Sequence, residues 1–260
     1  MNKSTSLFTP FLAGRLAASG IHLIISLLLA LLAAVLVFFV WYPYPYREIS
    51  GGRELFWIVV VVDVVIGPLM TLAVFNKAKP RNELRRDLGI IGLLQLGALA
   101  YGLWTVAISR PVHLVFEIDR FRVAHAIDIP HEFLNRAALE LRQLPWTGPT
   151  LLSVRDFKDS KESFDATLAA VRGAEIGWRP EFWQPYAAAK TQVLAQAKPL
   201  AELKARFPAS RKVIDSALQD AGHLPLFVGY VPMVGRQRFW TVLVDLKTAE
   251  VLAFVPIDSF

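Results

Sequence analysis

One carboxylate is singled out by its position. Asp63 lies near the middle of Leu55–Asn76, LFWIVVVVDVVIGPLMTLAVFN, an apolar run long enough to cross a bilayer. A hydrocarbon core about 30 Å thick takes roughly 20 residues at 1.5 Å each. Placing a carboxyl group there costs at least about 2.5 kcal/mol, so such a residue is by default a functional candidate. The competing reading is structural: a protonated acid hydrogen-bonded to a neighbouring span. Gly67-Pro68 follows about one helical turn later. Pro68 cannot donate to the carbonyl of Val64, so the helix is expected to bend and that oxygen to need another partner. By helical rise, Asp63 lies about 18 Å from the Asn76 end of its helix, and Tyr101 about 19 Å along the next span. This common level would let the two share a hydrogen bond, with Gln95 lower down. Asp63, Gly67, Pro68, Gln95 and Tyr101 are therefore the candidates for helix packing or for contact with an incoming helix.

Other chemistry is sparse. The histidines are His22, His113, His125, His131 and His223, and none forms an HxxxH or HExxH pair. His125 and His131 flank an expected turn, where surface roles outweigh zinc. No GxSxG, GxxxxGK[ST] or GxGxxG occurs. Glu117 and Asp119 share one face of an expected strand, with Arg120 and Arg122 at hand to pair them. RPEFWQPY (179–186) reads as an aromatic core cluster beneath a loop, or else as an exposed docking surface. The chain has no cysteine, which excludes disulfides, thiolate metal sites and cysteine nucleophiles. These patterns predict no enzyme, no cofactor and no metal site.

The elements that position Asp63 follow from hydropathy. Mean hydropathy is +0.42, and the excess lies in the first 110 of the 260 residues. The formal charge is +6, but residues 109–260 hold 19 Lys/Arg against 17 Asp/Glu. Most of the basicity thus belongs to the apolar portion, which speaks for membrane orientation and against a nucleic-acid partner. Ile21–Trp41 is the first span. It is too long for a signal-peptide core and ends in residues too bulky for a cleavage site. A turn-forming loop, YPYPYREISGGRE (42–54), leads to the second span. The segment 76–87 is basic, and Leu88–Ile108 is the third span. Lys3, Arg15 and five basic residues of 77–86 lie on one side, against Arg47 and Arg53 on the other. The amino terminus is therefore expected in the cytoplasm and the carboxy-terminal portion outside. Trp41, Trp57 and Trp104 then fall at the outer interface, where indoles prefer to lie.

From Arg110 the pattern is that of a soluble domain. VHLVFEIDRFRVAHA (112–126) opens with alternation at Val112, Leu114, Phe116 and Ile118, the period of a strand. HEFLNRAALELRQL (131–144) has helical spacing. TLLSVRDF (150–157) predicts a strand and SKESFDATLAAVRG (160–173) a helix ended by Gly173. Residues 180–221 read as helical, cut by Pro199 and Pro208. The tail returns to strands at 224–234, 238–246 and 251–257, the last two joined by the loop Lys247-Thr248-Ala249-Glu250. The expected fold is thus three amino-terminal transmembrane α-helices followed by a soluble α+β domain: a cytoplasmic tail over 1–20, the transmembrane domain over 21–109 and the periplasmic domain over 110–260.

The segments GIHLIISLLLALL with FFVWYPYPY, VVDVVIGPLMTLAVFN, KPRNELRRDLGIIGLLQL with AYGLWTV, and RPVHLVFEIDRFRVAHA resemble the type IV pilin accessory proteins, the TfpX/TfpZ family. They cover about residues 20–125, and VVDVVIGP and RPVHLVFEIDRFRV are the most specific. The resemblance implies a multi-pass protein of the bacterial inner membrane. It would act as an assembly chaperone for a cognate major type IV pilin, alongside other inner-membrane pilus assembly proteins, and it implies no catalytic residues. Two rival classes start from other features. A small transporter or ion-conducting subunit would titrate Asp63, but three spans are few. An envelope receptor would bind a ligand with its outer domain, but only a short cytoplasmic loop is available for output.

Overall fold

A computed structural model describes residues 8–222 and 227–260, with side chains from Leu12 onward. Lys3, His223 and the first residues of the strand expected over 224–234 lie outside the described residues. The chain forms two compact units. One takes the described chain up to Phe39 together with Gly52–Ala107, and the other takes Val40–Gly51 together with Ile108–Phe260.

The first unit is helical. α1 (Phe8–Val35) continues into a π-helical turn at Leu36–Trp41. α2 (Tyr46–Ile49) is a single turn and belongs to the other unit. α3 (Gly52–Val60), a π-helical stretch Val61–Ile66 and α4 (Gly67–Val74) make one continuous rod. α5 runs from Arg81 to Ile108. Leu12–Trp41, Gly52–Val74 and Arg81–Ile108 are long and apolar enough to cross a membrane. Their outward side chains, such as Leu32, Ile58 and Leu93, are apolar and exposed. α1 starts before the span expected from Ile21, and α5 before that expected from Leu88. At α5 the charged turn is itself helical, with Glu83 at the positive end of the helix and Asp87 held 2.7 Å from Lys79.

The second unit is built on an eight-stranded mixed sheet in the order β4-β3-β1-β2-β6-β7-β8. Its strands are β1 (Pro111–Phe116), β2 (Phe121–His125), β3 (Thr150–Val154), β4 (Trp183–Pro185), β5 (Lys198–Pro199), β6 (Val228–Val234), β7 (Phe239–Asp245) and β8 (Val251–Val255), with β5 pairing β6. β1 runs parallel to β3 and antiparallel to β2, and β2 runs parallel to β6. Helices α6 (Ser160–Val171), α7 (Lys190–Gln196), α8 (Leu200–Arg206) and α9 (Arg211–Asp220) complete it.

Every residue of β1 is buried, as expected of a strand covered on both faces. One face carries Leu114, Phe116, Phe121, Val231 and Val242. Elsewhere Leu203, Ile214 and Leu218 from α8 and α9 close over Tyr230 and Leu243. The alternation expected to run through Ile118 ends sooner, because the chain turns between Phe116 and Phe121; Ile118 is exposed. The turn's carboxylates are paired, Glu117 with Arg122 at 2.8 Å and Asp119 with Arg120 at 2.7 Å. The helix expected over 131–144 is instead two 3₁₀ segments, His131–Arg136 and Leu139–Leu141. Leu134, Leu141 and Leu144 still reach the core, packing against a cluster that includes Val115, Leu152 and Trp183. Phe182 and Trp183 are buried, so RPEFWQPY is core and not an exposed surface.

Val40–Gly51 is part of this domain. Tyr42 and Ile49 are fully buried, and Ile49 and Tyr46 pack with Phe121, Met233 and Trp240. The Ile49 carbonyl accepts from the Gln237 amide at 3.1 Å, and the Val40 carbonyl from the Gly148 amide at 2.8 Å. Gly235 makes room: a Cβ there would stand 2.9 Å from that of Ile49. Deleting a fully buried Ile side chain costs about 2–5 kcal/mol. Ile49→Ala is therefore expected to lower the denaturant midpoint of the sheet domain in the full chain, followed by tryptophan fluorescence. An unchanged midpoint would show that the loop is not part of the core.

A second expectation concerns pH. His113 is buried, its Nδ1 2.7 Å from Thr150 Oγ1 and its ring 4.7 Å from that of Trp183. Burial pushes its pKa down from 6.5 to about 3. Below pH 6.5 the unfolded chain takes up a proton that the folded domain refuses, so this contribution to stability falls as pH drops toward 3. His113→Asn should flatten that part of a denaturation profile measured across this range, whereas an unaltered slope would assign it to other groups.

Candidate functional site

The site lies among the three apolar helices and starts from a backbone constraint. Pro68 has no amide hydrogen and its ring crowds the preceding turn. Just before it the helix widens into the π-helical stretch Val61–Ile66, and the Gly67 amide reaches back to the Val62 carbonyl. Such widened turns recur at functional sites. This one carries Asp63, which is only 6% exposed and whose Oδ1 has no hydrogen-bond partner among the described residues.

Two neighbouring helices make polar contacts here. From α5, Gln95 Nε2 donates to the Asp63 main-chain carbonyl at 3.2 Å, while Gln95 Oε1 has no partner among the described residues. Gly67 permits this approach, because a Cβ there would fall 1.8 Å from Gln95 Nε2. From α1, Ser19 Oγ donates to the Pro68 carbonyl at 2.8 Å, and His22 Nδ1 lies 2.5 Å from Thr71 Oγ1. Asp63 borders two clefts. One of about 290 Å³ is lined by Ile58, Val62, Tyr101 and Gly102, and one of about 210 Å³ by His22, Ser26, Gln95 and Leu99.

Three of the five candidates thus meet, Asp63, Gly67 and Gln95, while the Pro68 carbonyl is bound from α1 by Ser19. Tyr101 does not join them. It borders the larger cleft, but it is 69% exposed, stacks near Trp104 at 6.1 Å and makes no hydrogen bond to Asp63. The physical reason is azimuth. At about 100° per residue, Tyr101 stands about 120° around the helix from Gln95, so a rotation that turns Gln95 toward Asp63 turns Tyr101 away. Sequence reasoning matched the height and left out the rotation. It also missed Ser19, His22 and Thr71. The available signal was the row Ser19, His22, Ser26, polar residues at one-turn spacing on an otherwise apolar helix.

Elsewhere, His125 is bound through Nδ1 to Asp128 at 3.1 Å, and burial lowers its pKa against that bond. Among the described residues no group of three or more His, Cys, Asp or Glu is placed to hold a metal.

Three helices apolar enough to span a membrane, tied by partly buried polar contacts and followed by a sheet domain, define a class of membrane-type scaffold with a packing site in its helices. The family described as fimbrial assembly protein FimB matches residues 10–51, which take in most of the first apolar helix and all of Val40–Gly51. The fimbrial assembly protein of serogroup I from Dichelobacter nodosus is 38% identical over 263 residues, covering 100% of this chain and 99% of that protein. That of serogroup E1 is 36% identical, again over 100% and 99%. The protein of serogroups C1 and C2 is 41% identical over 53% of this chain. No solved structure matches. The chain belongs to the fimbrial assembly protein family.

The contact between Gly67 and Gln95 is directly testable. Gly67→Ala should destabilise the detergent-solubilised protein by about 1–3 kcal/mol, as overpacking does. Adding Gln95→Ala should restore most of the loss in thermal unfolding. Equal stability of Gly67→Ala and the parent would show that the two helices do not meet there.

Proposed function

We propose that this protein is an assembly chaperone of the bacterial inner membrane for a cognate major type IV pilin. The observation that carries the reading is likeness along the whole chain to fimbrial assembly proteins, combined with helices long and apolar enough to cross a membrane. The earlier resemblance to the TfpX/TfpZ accessory proteins points the same way. Three spans would place the amino terminus in the cytoplasm and the sheet domain in the periplasm, as the distribution of Lys and Arg supports. A pilin subunit awaiting assembly exposes an apolar helix in the membrane and a globular head outside it. This chain offers an apolar bundle to the first and a sheet domain to the second.

In this reading Asp63, Gly67, Pro68, Gln95 and Tyr101 hold the bundle together or meet the client's helix. The unpartnered oxygens of Asp63 and Gln95 support a role in receiving a donor from another helix. Contacts of this kind contribute around 1 kcal/mol or less each, which suits a reversible partner. The chemistry is recognition, and no bond is made or broken. Pilus assembly proteins of the same membrane are further expected partners.

Deleting the gene should reduce surface fimbriae while pilin transcription continues; normal piliation in the deletion would sink the proposal. Complementation with Asp63→Leu at equal protein level should fail, and Asp63→Asn should separate hydrogen bonding from charge. Topology has its own check. Alkaline phosphatase fused after Phe260 should be active and after Pro80 inactive, and the reverse pattern would overturn the orientation.

A further inference from the structure

Several exposed apolar residues of the sheet domain have no task in the account above. Trp146 is 64% exposed and Leu139 is 77% exposed. Two hydrogen bonds decide where Trp146 lies. On one side the Gly148 amide donates to the Val40 carbonyl at 2.8 Å, and Val40 belongs to the last turn of the apolar helix Leu12–Trp41. On the other side Arg110 Nε donates to the Pro145 carbonyl at 3.1 Å, and Arg110 lies two residues beyond the end of the apolar helix at Ile108. The same guanidinium stands 4.1 Å over the Trp146 ring. The segment Pro145–Gly148 is therefore tied at both ends to residues at the exits of two spans. Trp146 has only about 7 Å of chain between it and Gly148.

We infer that Pro145–Gly148, with Trp146 as its anchor, lies in the boundary between headgroups and acyl chains of the bilayer, and that the occupant of this face is lipid. Indoles concentrate at this depth because their ring is apolar and their N–H is polar. Charge does not drive the contact. Residues 127–148 carry Asp128, Glu132 and Glu140 against Arg136 and Arg142, so the segment has no cationic excess for anionic lipid. Zwitterionic lipid should suffice, and salt should matter little. The inference rests on the proposal that the three apolar helices cross a bilayer, and the test separates the two.

The absence of native cysteine makes the test clean. Thr147→Cys in the full chain leaves Trp146 in place and accepts a nitroxide, and Leu93→Cys, on an exposed apolar position of α5, is the reference for the acyl region. The protein is reconstituted at high dilution in phosphatidylcholine vesicles. The measurement is the ratio of collisions with oxygen, which partitions into lipid, to collisions with a water-soluble nickel chelate. The Thr147 label is expected to give a ratio several-fold above that of the same label on free cysteine in buffer and below that at Leu93. It should be unchanged when phosphatidylglycerol is added, and should fall toward the buffer value when Trp146→Ser is introduced. A buffer value at Thr147 with a high ratio at Leu93 would overturn this inference alone. A buffer value at both positions would overturn the membrane reading and this one with it.

Discussion

The burial of Ile49 is the contact on which much of the structure depends. It sits in the loop between the first two apolar helices, yet it packs among the strands of the sheet, with its carbonyl bound to the Gln237 amide. Three chain crossings therefore link the helical unit and the sheet domain: into Val40–Gly51, out of it, and at Ile108. The chain leaves the helical unit, contributes a buried turn to the other unit, and returns before it finally leaves at Ile108.

The helical unit answers a different constraint. Its helices turn apolar side chains outward as well as toward one another, so apolar contact alone does not choose their register, and small residues and polar contacts do. The Ser19–Pro68 and His22–Thr71 pairs fix α1 against the proline-bearing rod, and Gln95 fixes α5 against it at Gly67. All of these contacts lie near the proline. A carbonyl freed by the proline's missing amide is the kind of acceptor that such contacts can use.

Much of this was legible in the sequence, for reasons that particular residues show. The buried acid at Asp63 announces itself because an apolar run has no other use for it. The loop between β7 and β8 was legible from its polar residues, and Asp245 holds it by accepting from the Lys247 and Thr248 amides at 2.6 and 2.8 Å. Ala249 takes a positive φ of 63° there, which no propensity of alanine foretells. The spacing in 131–144 gave the correct inward residues and the wrong helix, because short 3₁₀ turns also bring leucines back to one side. Tyr101 was misjudged because rise alone was counted. The role of Tyr46 and Ile49 was hidden by a different limit: a loop rich in proline and glycine reads as a turn, and no local pattern says which core it will enter.

The placement of Val40–Gly51 also has a consequence in time. Synthesis delivers this segment before the second and third apolar helices, and delivers Met233 and Trp240, against which it packs, only near the end of the chain. The sheet domain is thus assembled from an early piece and a late piece, with membrane-type helices made in between. Contacts so distant in sequence form slowly, and until they form the buried faces of Tyr46 and Ile49 stand open. If the proposed role holds, the protein's own maturation contains the same interval of exposed apolar surface that it would cover in others.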